Sequence, residues 1–301
     1  MSETAISITD LHFAYGRKKV LTGVTLGVPE GSVFGFLGRN GAGKTTTIQI
    51  LLGLLRPQRG ECQVGGHDPQ VDAVAVRRAV GYVAEDQRMY DWMRVEQIIK
   101  WTSSFYPTWD DAYAHQLLRQ FDLPPKGKIR TLSKGQNTRL ALLLALAHRP
   151  RIVILDDPTL GLDPIARKEF LRSVITLLQS EGVTVFFSSH LLYEIEPVAD
   201  RIAILDRGRI VKTAMTDVLR DTVRRFVFRP KAAIDVARIP NVLDAVHQNG
   251  QWSVTIEDAN AETRTALHTV AGDDAEEMGL NLDEIFEAYV IGNRGREVAP
   301  C

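Results

Sequence analysis

Residues 38–45 read Gly-Arg-Asn-Gly-Ala-Gly-Lys-Thr, which fits the pattern G-x-x-x-x-G-K-[ST] at each fixed position. Glycines in that pattern let consecutive backbone N–H groups turn inward around phosphate oxygens at the positive end of a helix. Lys44 would reach the β- and γ-phosphates, and the Thr45 hydroxyl would hold Mg²⁺. A second reactive group closes the apolar run Arg151-Ile-Val-Ile-Leu-Asp-Asp157. A strand ending there puts Asp156 beside the loop, where it can hold Mg²⁺ through its water shell. A glycine turn before a core helix and an Asp-Asp-Pro strand end are the plainer accounts of each feature alone. Together they favour binding of a nucleoside triphosphate.

Both groups need a particular scaffold. Ser32 to Leu37 is a short apolar run that reads as a buried strand. Thr45 to Leu55 carries Ile48, Leu51, Leu52 and Leu55 at helical spacing and ends at Arg56-Pro57. Alternating stretches at Ala5–Thr9, Val20–Leu26 and Glu61–Val64 predict edge strands. Pro69 to Val80 predicts a helix leading into a buried strand, Gly81 to Ala84. From Glu85 to Pro150 the character is helical, with one helix over Val95–Phe105, one from Thr108 in a capping box, and one following Ser133. Alternation then resumes: a strand over Arg151–Leu155, a helix from Pro164, a strand over Val183–Ser188, a helix from Leu191 and a strand over Arg201–Leu205. Asp206 to Gly208 turns into Ile210–Lys212. This order predicts an α/β fold with a largely parallel sheet and a helical insertion. Beyond residue 222, Arg225–Phe228 reads as a strand. Asn241–Val246 and Gln251–Ile256 flank Asn249-Gly250, a strong hairpin signal. Helices over Ala261–Val270 and Leu282–Ile291 complete a small α+β domain, with a flexible tail over Gly292–Cys301. No internal repeat or low-complexity segment is visible.

At 301 residues the chain can form one large domain and a small one. A net charge of −1 gives no global basic field for nucleic acid. Cys62 and Cys301 show no metal-ligand spacing, and their scarcity suits a reducing cytosol. The start, Met1-Ser-Glu-Thr, lacks the features of a signal peptide. The longest apolar run, Leu140 to Ala147, is too short to span a bilayer.

Leu132-Ser-Lys-Gly-Gln136 precedes a long apolar helix and differs at one position from Leu-Ser-Gly-Gly-Gln. With this stretch the chain resembles the ATP-binding cassette ATPases, specifically the nucleotide-binding subunits of ABC transporters, over roughly residues 5–220. The resemblance implies a P-loop NTPase core with an antiparallel β subdomain and a helical subdomain at about 86–150, so that the cassette spans 1–221 and an accessory domain 222–301. It implies Tyr15 as the adenine-stacking aromatic, Gly38, Arg39, Asn40, Gly41, Ala42, Gly43, Lys44, Thr45 and Thr46 as the phosphate loop, and Asp156 as the Walker B acid. Ser133, Gly135 and Gln136 would bind the nucleotide of a second copy, Asp163 would communicate across the dimer, and His190 would contact the γ-phosphate. ATP and Mg²⁺ follow, with Thr45, Asp156 and Glu85 around the metal. So do a second copy or related subunit, a separate transmembrane permease, and a place in the cytoplasm at the inner face of the membrane. A single cassette, Gly161-Leu-Asp-Pro164 and the tail sequence Leu282–Phe286 resemble the drug, antibiotic and lipid exporter branch. Soluble cassette ATPases and a slowly hydrolysing regulatory module are the alternatives.

Two departures bear on catalysis. The glutamate that usually follows the Walker B aspartate is here Asp157, one methylene shorter, which predicts slow hydrolysis with Asp157 as base. The usual glutamine after Gly81–Ala84 is replaced by Glu85, with Gln87 as a possible substitute. Finally, Trp92, Trp101 and Trp109 cluster with Tyr90, Met93, Phe105 and Tyr106. At helical spacing these read mainly as core of the insertion, with some available to line a groove for a membrane subunit.

Overall fold

The computed structural model describes residues 4–159, 164–190, 195–229, 236, 239–271 and 275–292. Its largest sheet runs in the order β5 (Val80–Val83), β6 (Ile152–Asp156), β7 (Thr184–Ser189), β3 (Val33–Gly38), β8 (Arg201–Asp206) and β9 (Arg209–Met215). All neighbours are parallel except the β8–β9 hairpin. The inner strands are apolar at nearly every position because both faces are covered. Phe34, Phe36, Ile152, Ile154 and Phe186 point into one core, and Val33, Leu37, Val153, Leu155 and Phe187 into the other. Each such side chain contributes about 1.5–3 kcal/mol on burial.

The first core lies under a three-stranded antiparallel sheet, β2 (Lys18–Pro29), β1 (Thr4–Tyr15) and β4 (Arg59–Val64), together with α1 (Lys44–Leu51) and α2 (Ala73–Ala79). The second is built with α3 (Val95–Ser103), α4 (Asp111–Gln120), α5 (Lys134–Leu146) and α6 (Pro164–Ser180). After α7 (Thr216–Thr222) comes a four-stranded antiparallel sheet in the order β11 (Val242–Gln248), β12 (Gln251–Ile256), β10 (Arg224–Phe228) and β13 (Glu276–Gly279). It shares a separate core with α8 (Ala261–Ala271). By contrast α9 (Leu282–Val290) sends Leu282, Ile285 and Phe286 into the larger of the two cores that flank the main sheet. Among the described residues no helix is long and apolar enough to cross a membrane.

Several local expectations change. α2 begins at Ala73 rather than Pro69, because Asp72 accepts a hydrogen bond from Ala75 N at 2.9 Å. The helix expected from Thr108 begins at Asp111, capped by Asp110 through Tyr113 N, while the Thr108 hydroxyl donates to the His148 carbonyl. α1 stops at Leu51, short of Leu55. The short helix α7 and the strand β13 had no clear signal, β13 being exposed at all four positions. The aromatic group is also not core. Tyr90, Trp92, Trp101 and Phe105 are all exposed, Trp92 by 63%, and form a ladder of edge-to-face and tilted rings with centroids 4.9–6.1 Å apart. Only Met93 and Trp109 pack against the core. The start expected at Leu191 and the tail from Asn293 lie outside the described residues.

Candidate functional site

The carboxyl ends of β3, β6 and β7 meet where the strand order reverses, the usual place for a ligand in an open α/β sheet. β3 runs straight into the glycine loop. Gly43 holds φ at 115°, and a Cβ there would lie 2.7 Å from Leu21 Cδ2, so glycine alone suits the position. The same residue is the N-cap of α1 and provides no side-chain cap, unlike Asp72, Asp110, Ser133 and Asn281 on other helices. The first N–H groups of α1 are therefore available to an anion. Lys44 is buried, and its Nζ donates to the Gly38 carbonyl at 2.8 Å.

β7 sits between β3 and β6, which brings Ser188 into register with Asp156. The Ser188 hydroxyl donates to Asp156 Oδ1 at 2.6 Å, and Asp157 N points at Ser188 Oγ at 3.1 Å. Asp157 has φ of 45°, a left-handed conformation that aspartate tolerates better than most residues. Its Oδ2 lies 2.5 Å from His190 Nδ1. The contact holds the imidazole and the carboxylate against each other and so orients both side chains. Asp156 Oδ2 and Asp157 Oδ1 are buried without a hydrogen-bond partner.

Lys44, Asp156 and Asp157 share a cleft of about 470 Å³ that also takes in Tyr15, Asn40, Gly41, Gly43, Thr45, Thr46 and Glu85. Tyr15 is half exposed and stands edge-on to Phe13 at its mouth. Arg39, Ala42 and His190 line an adjoining pocket that shares Asn40 and Gly41 with the cleft. Burial raises the carboxyl of Asp156 above its usual range, against hydrogen bonding from Ser188 and Thr45 and the charge of Lys44. Glu85 is also raised, by burial and by the two neighbouring aspartates. Burial lowers the Lys44 ammonium, opposed by Asp157, Asp156 and Glu85. Three carboxylates against one buried ammonium make a wall that favours an added cation.

Sequence reasoning missed Lys18, Lys19 and Arg207, which line the same cleft, and Ser188, which steadies both aspartates. Gln87 faces a different groove, beside Tyr82, Met89 and Tyr106, so Glu85 alone of the two reaches the loop. Ser133, Gly135 and Gln136 are not in the cleft. Ser133 caps α5 in a reciprocal box with Gln136. Asp163 lies outside the described residues.

Residues 21–160 match the family model described as ABC transporter. The daunorubicin resistance ATP-binding protein DrrA3 of Streptomyces coeruleorubidus is 37% identical over 73% of this chain and 71% of its own length. The chain belongs to the ABC transporter ATP-binding family. The bacitracin transport ATP-binding protein BcrA of Bacillus licheniformis is 33% identical over 74% of both chains. Among solved structures, an ATP-binding subunit of an ABC transporter superposes with a TM-score of 0.66 at 29% identity, covering 72% of this chain and 92% of that one. ABC ATPases hydrolyse ATP, and the cassette core of this chain has the sheet, loop and acid-ended strand that this requires.

Proposed function

We propose that the chain is the ATP-hydrolysing subunit of an exporter, and that it works as one half of a pair of composite sites. The observation that carries this is the distribution of motifs. Tyr15, the phosphate loop, Glu85, Asp156 and Asp157 share one cleft, while Ser133, Gly135 and Gln136 stand outside it. A second copy, head to tail, would bring its Ser133 and Gly135 to the γ-phosphate, and ATP would join the two. Tyr15 would stack on adenine, the N–H groups from Gly41 to Thr46 would cradle the phosphates, and Lys44 would turn from Gly38 to the β- and γ-oxygens.

The residues present fit Mg²⁺. The Thr45 hydroxyl and the unpartnered Asp156 Oδ2 offer two hard oxygens, with Glu85 nearby. No group of three His, Cys, Asp or Glu among the described residues forms an all-protein cage. That matches a small cation completed by phosphate and water oxygens. Bound there, it would neutralise charge on the β- and γ-phosphates. Asp157 would orient the attacking water through Oδ1 and take its proton, and His190 would hold Asp157 and face the γ-phosphate. The water oxygen bonds to the γ-phosphorus as the bond to the bridging oxygen breaks, leaving ADP and phosphate. With its short side chain, Asp157 makes hydrolysis slow but real.

Relatives named for daunorubicin resistance and bacitracin transport support export of an antibiotic-like cargo; a separate permease would carry it, with this subunit in the cytoplasm against the membrane. The aromatic ladder and the apolar groove beside it suit a helix from that permease. In this reading residues 1–221 are the motor and 222–301 an accessory domain.

The test of the shared site is complementation. Lys44→Ala and Ser133→Arg copies should each lack turnover, and mixing them should restore it through one intact composite site. Mixed copies with no turnover would refute the head-to-tail pair. Co-purification with the neighbouring permease, followed by phosphate release with and without it, tests coupling. Failure to recover or respond to the permease would refute the transport reading.

A further inference from the structure

Arg207 stands in a backbone conformation that arginine disfavours. The β8–β9 hairpin turns through Arg207 at φ 46° and Gly208 at φ 77°, the pattern of a two-residue turn that prefers Asn-Gly or Asp-Gly. A turn of the same kind between β11 and β12 carries Asn249-Gly250, at φ 52° and 72°. Among the described residues, eight non-glycine positions have positive φ, and only Arg149 and Arg207 are neither aspartate nor asparagine. Arg149 is accounted for by its contacts. It lies over the Tyr113 ring at 3.4 Å and bonds Asp110 at 3.1 Å. Arg207 makes only a loose 3.8 Å ion pair with its neighbour Asp206, and its side chain is 88% exposed. Among the described residues that loose pair is all that offsets the strain, and strain of this kind collects at functional positions.

The turn is keyed rigidly to the phosphate loop. Gly208 N donates to the Ala42 carbonyl at 3.2 Å, and Thr22 N donates to the Gly208 carbonyl at 2.8 Å. A Cβ on Gly208 would fall 2.1 Å from the Val20 carbonyl oxygen. The hairpin therefore cannot slide relative to β2 or to the loop. That fixes Arg207 where the main cleft and the adjoining pocket meet, since it lines both, as Asn40 and Gly41 do. Lys18 and Lys19 line the same cleft, as do the carboxylates of Glu85, Asp156 and Asp157.

We propose that Arg207 is a nucleotide-binding residue, placing its guanidinium on the phosphate chain of the nucleotide held between Tyr15 and the phosphate loop. This rests on the reading of the cleft as the ATP site. A guanidinium can reach two phosphate oxygens at once, which a lysine at the same place cannot. The phosphates nearest the ribose are common to ATP and ADP, so Arg207 acts on both.

Calorimetric titration of the full chain with Mg·ADP tests it without turnover or pairing. Arg207→Asn should weaken Mg·ADP about three- to tenfold and flatten its dependence on salt. The same variant should raise the melting temperature of the nucleotide-free chain by about 1–3 °C, since asparagine relieves the turn. Arg207→Lys should recover only part of the affinity. Affinity unchanged in Arg207→Asn, with the fold intact, overturns the assignment. So does a change in ATP-dependent pairing alone, which would make Arg207 a contact to the second copy. Lys44→Ala separates the two claims. If it leaves Mg·ADP binding untouched, the cleft is not the nucleotide site. If it abolishes binding while Arg207→Asn does not weaken it, only the role of Arg207 falls.

Discussion

Asp157→Glu should make the enzyme faster and the fold weaker. Asp157 Oδ2 is held at 2.5 Å from His190, and Oδ1 is buried with no partner, aligned for one more contact. Glutamate carries its carboxylate about 1.5 Å further out, the length of one C–C bond. A 1 Å error in placing a reacting group costs about 100-fold, so correcting it should raise turnover by about 10- to 100-fold, or about 1.4–2.7 kcal/mol in barrier. Against that, φ at this position is 45°. A longer side chain should lose about 1 kcal/mol there, because it lacks the local hydrogen bonds that let aspartate visit the left-handed region. Steady-state phosphate release at saturating Mg·ATP reads the first effect, and denaturant unfolding reads the second. Asp157→Asn is the control. It keeps the backbone preference and removes the base, so turnover should fall about 100-fold or more. Turnover in Asp157→Glu that is unchanged or lower, with stability reduced by no more than about 1 kcal/mol, would refute a base limited by its length.

Two further outcomes follow from side chains away from the cleft. His148 is buried against Tyr106 at 4.1 Å, and burial pushes its pKa down to about 4. Its folded pKa lies below the usual 6.5, so it contributes stability above pH 6.5 that is lost as pH falls towards 4. The full difference is about 3 kcal/mol. His148→Phe should abolish that part of the acid sensitivity in unfolding measured at pH 7.5 and 5, and an unchanged pH slope would refute it. Replacing Trp92 and Trp101 together with alanine should change stability by less than about 0.5 kcal/mol each, as exposed sites do, and leave turnover without membranes intact. Recovery of the permease on co-purification should drop, and full recovery with normal stimulation would remove the ladder from that interface.

The parallel sheet and the phosphate loop were legible because their signals are local. β3, β6 and β7 are short apolar runs whose alternate residues serve two cores, and the loop after β3 is specified by glycine at fixed spacing. What the sequence obscured depends on contacts distant in the chain. Asp72 and Asp110 took the helix starts from Pro69 and Thr108, because a capping acid competes with every nearby candidate and only the packed backbone decides. The aromatic ladder shared its helical spacing with core residues, and spacing does not report which face is covered. β13 pairs with β10 through its backbone while exposing every side chain, so it left no hydrophobic pattern to read.

In the site the same division holds, and it explains why the catalytic question turns on residues the motifs do not name. Glycine spacing gave Lys44 and Thr45, and the apolar run gave Asp156, yet Ser188 is next to Asp156 only because β7 is inserted between β3 and β6. That insertion delivers two constraints at once. The Ser188 hydroxyl holds Asp156 Oδ1, and the strand end presents His190 to Asp157. Each aspartate is thereby left with one buried, unpartnered oxygen, Asp156 Oδ2 and Asp157 Oδ1. A buried acceptor without a donor is costly, so the pair is stable only if something that enters the cleft repays it. Mg²⁺ and the attacking water are the two groups a phosphate-transfer site must bring to those atoms. In the proposed reading the sheet order, more than the acid pair itself, would set which oxygen serves the metal and which the water. It follows that Ser188→Ala should release Asp156 and weaken Mg²⁺ dependence of nucleotide binding more than it alters binding of the nucleotide alone.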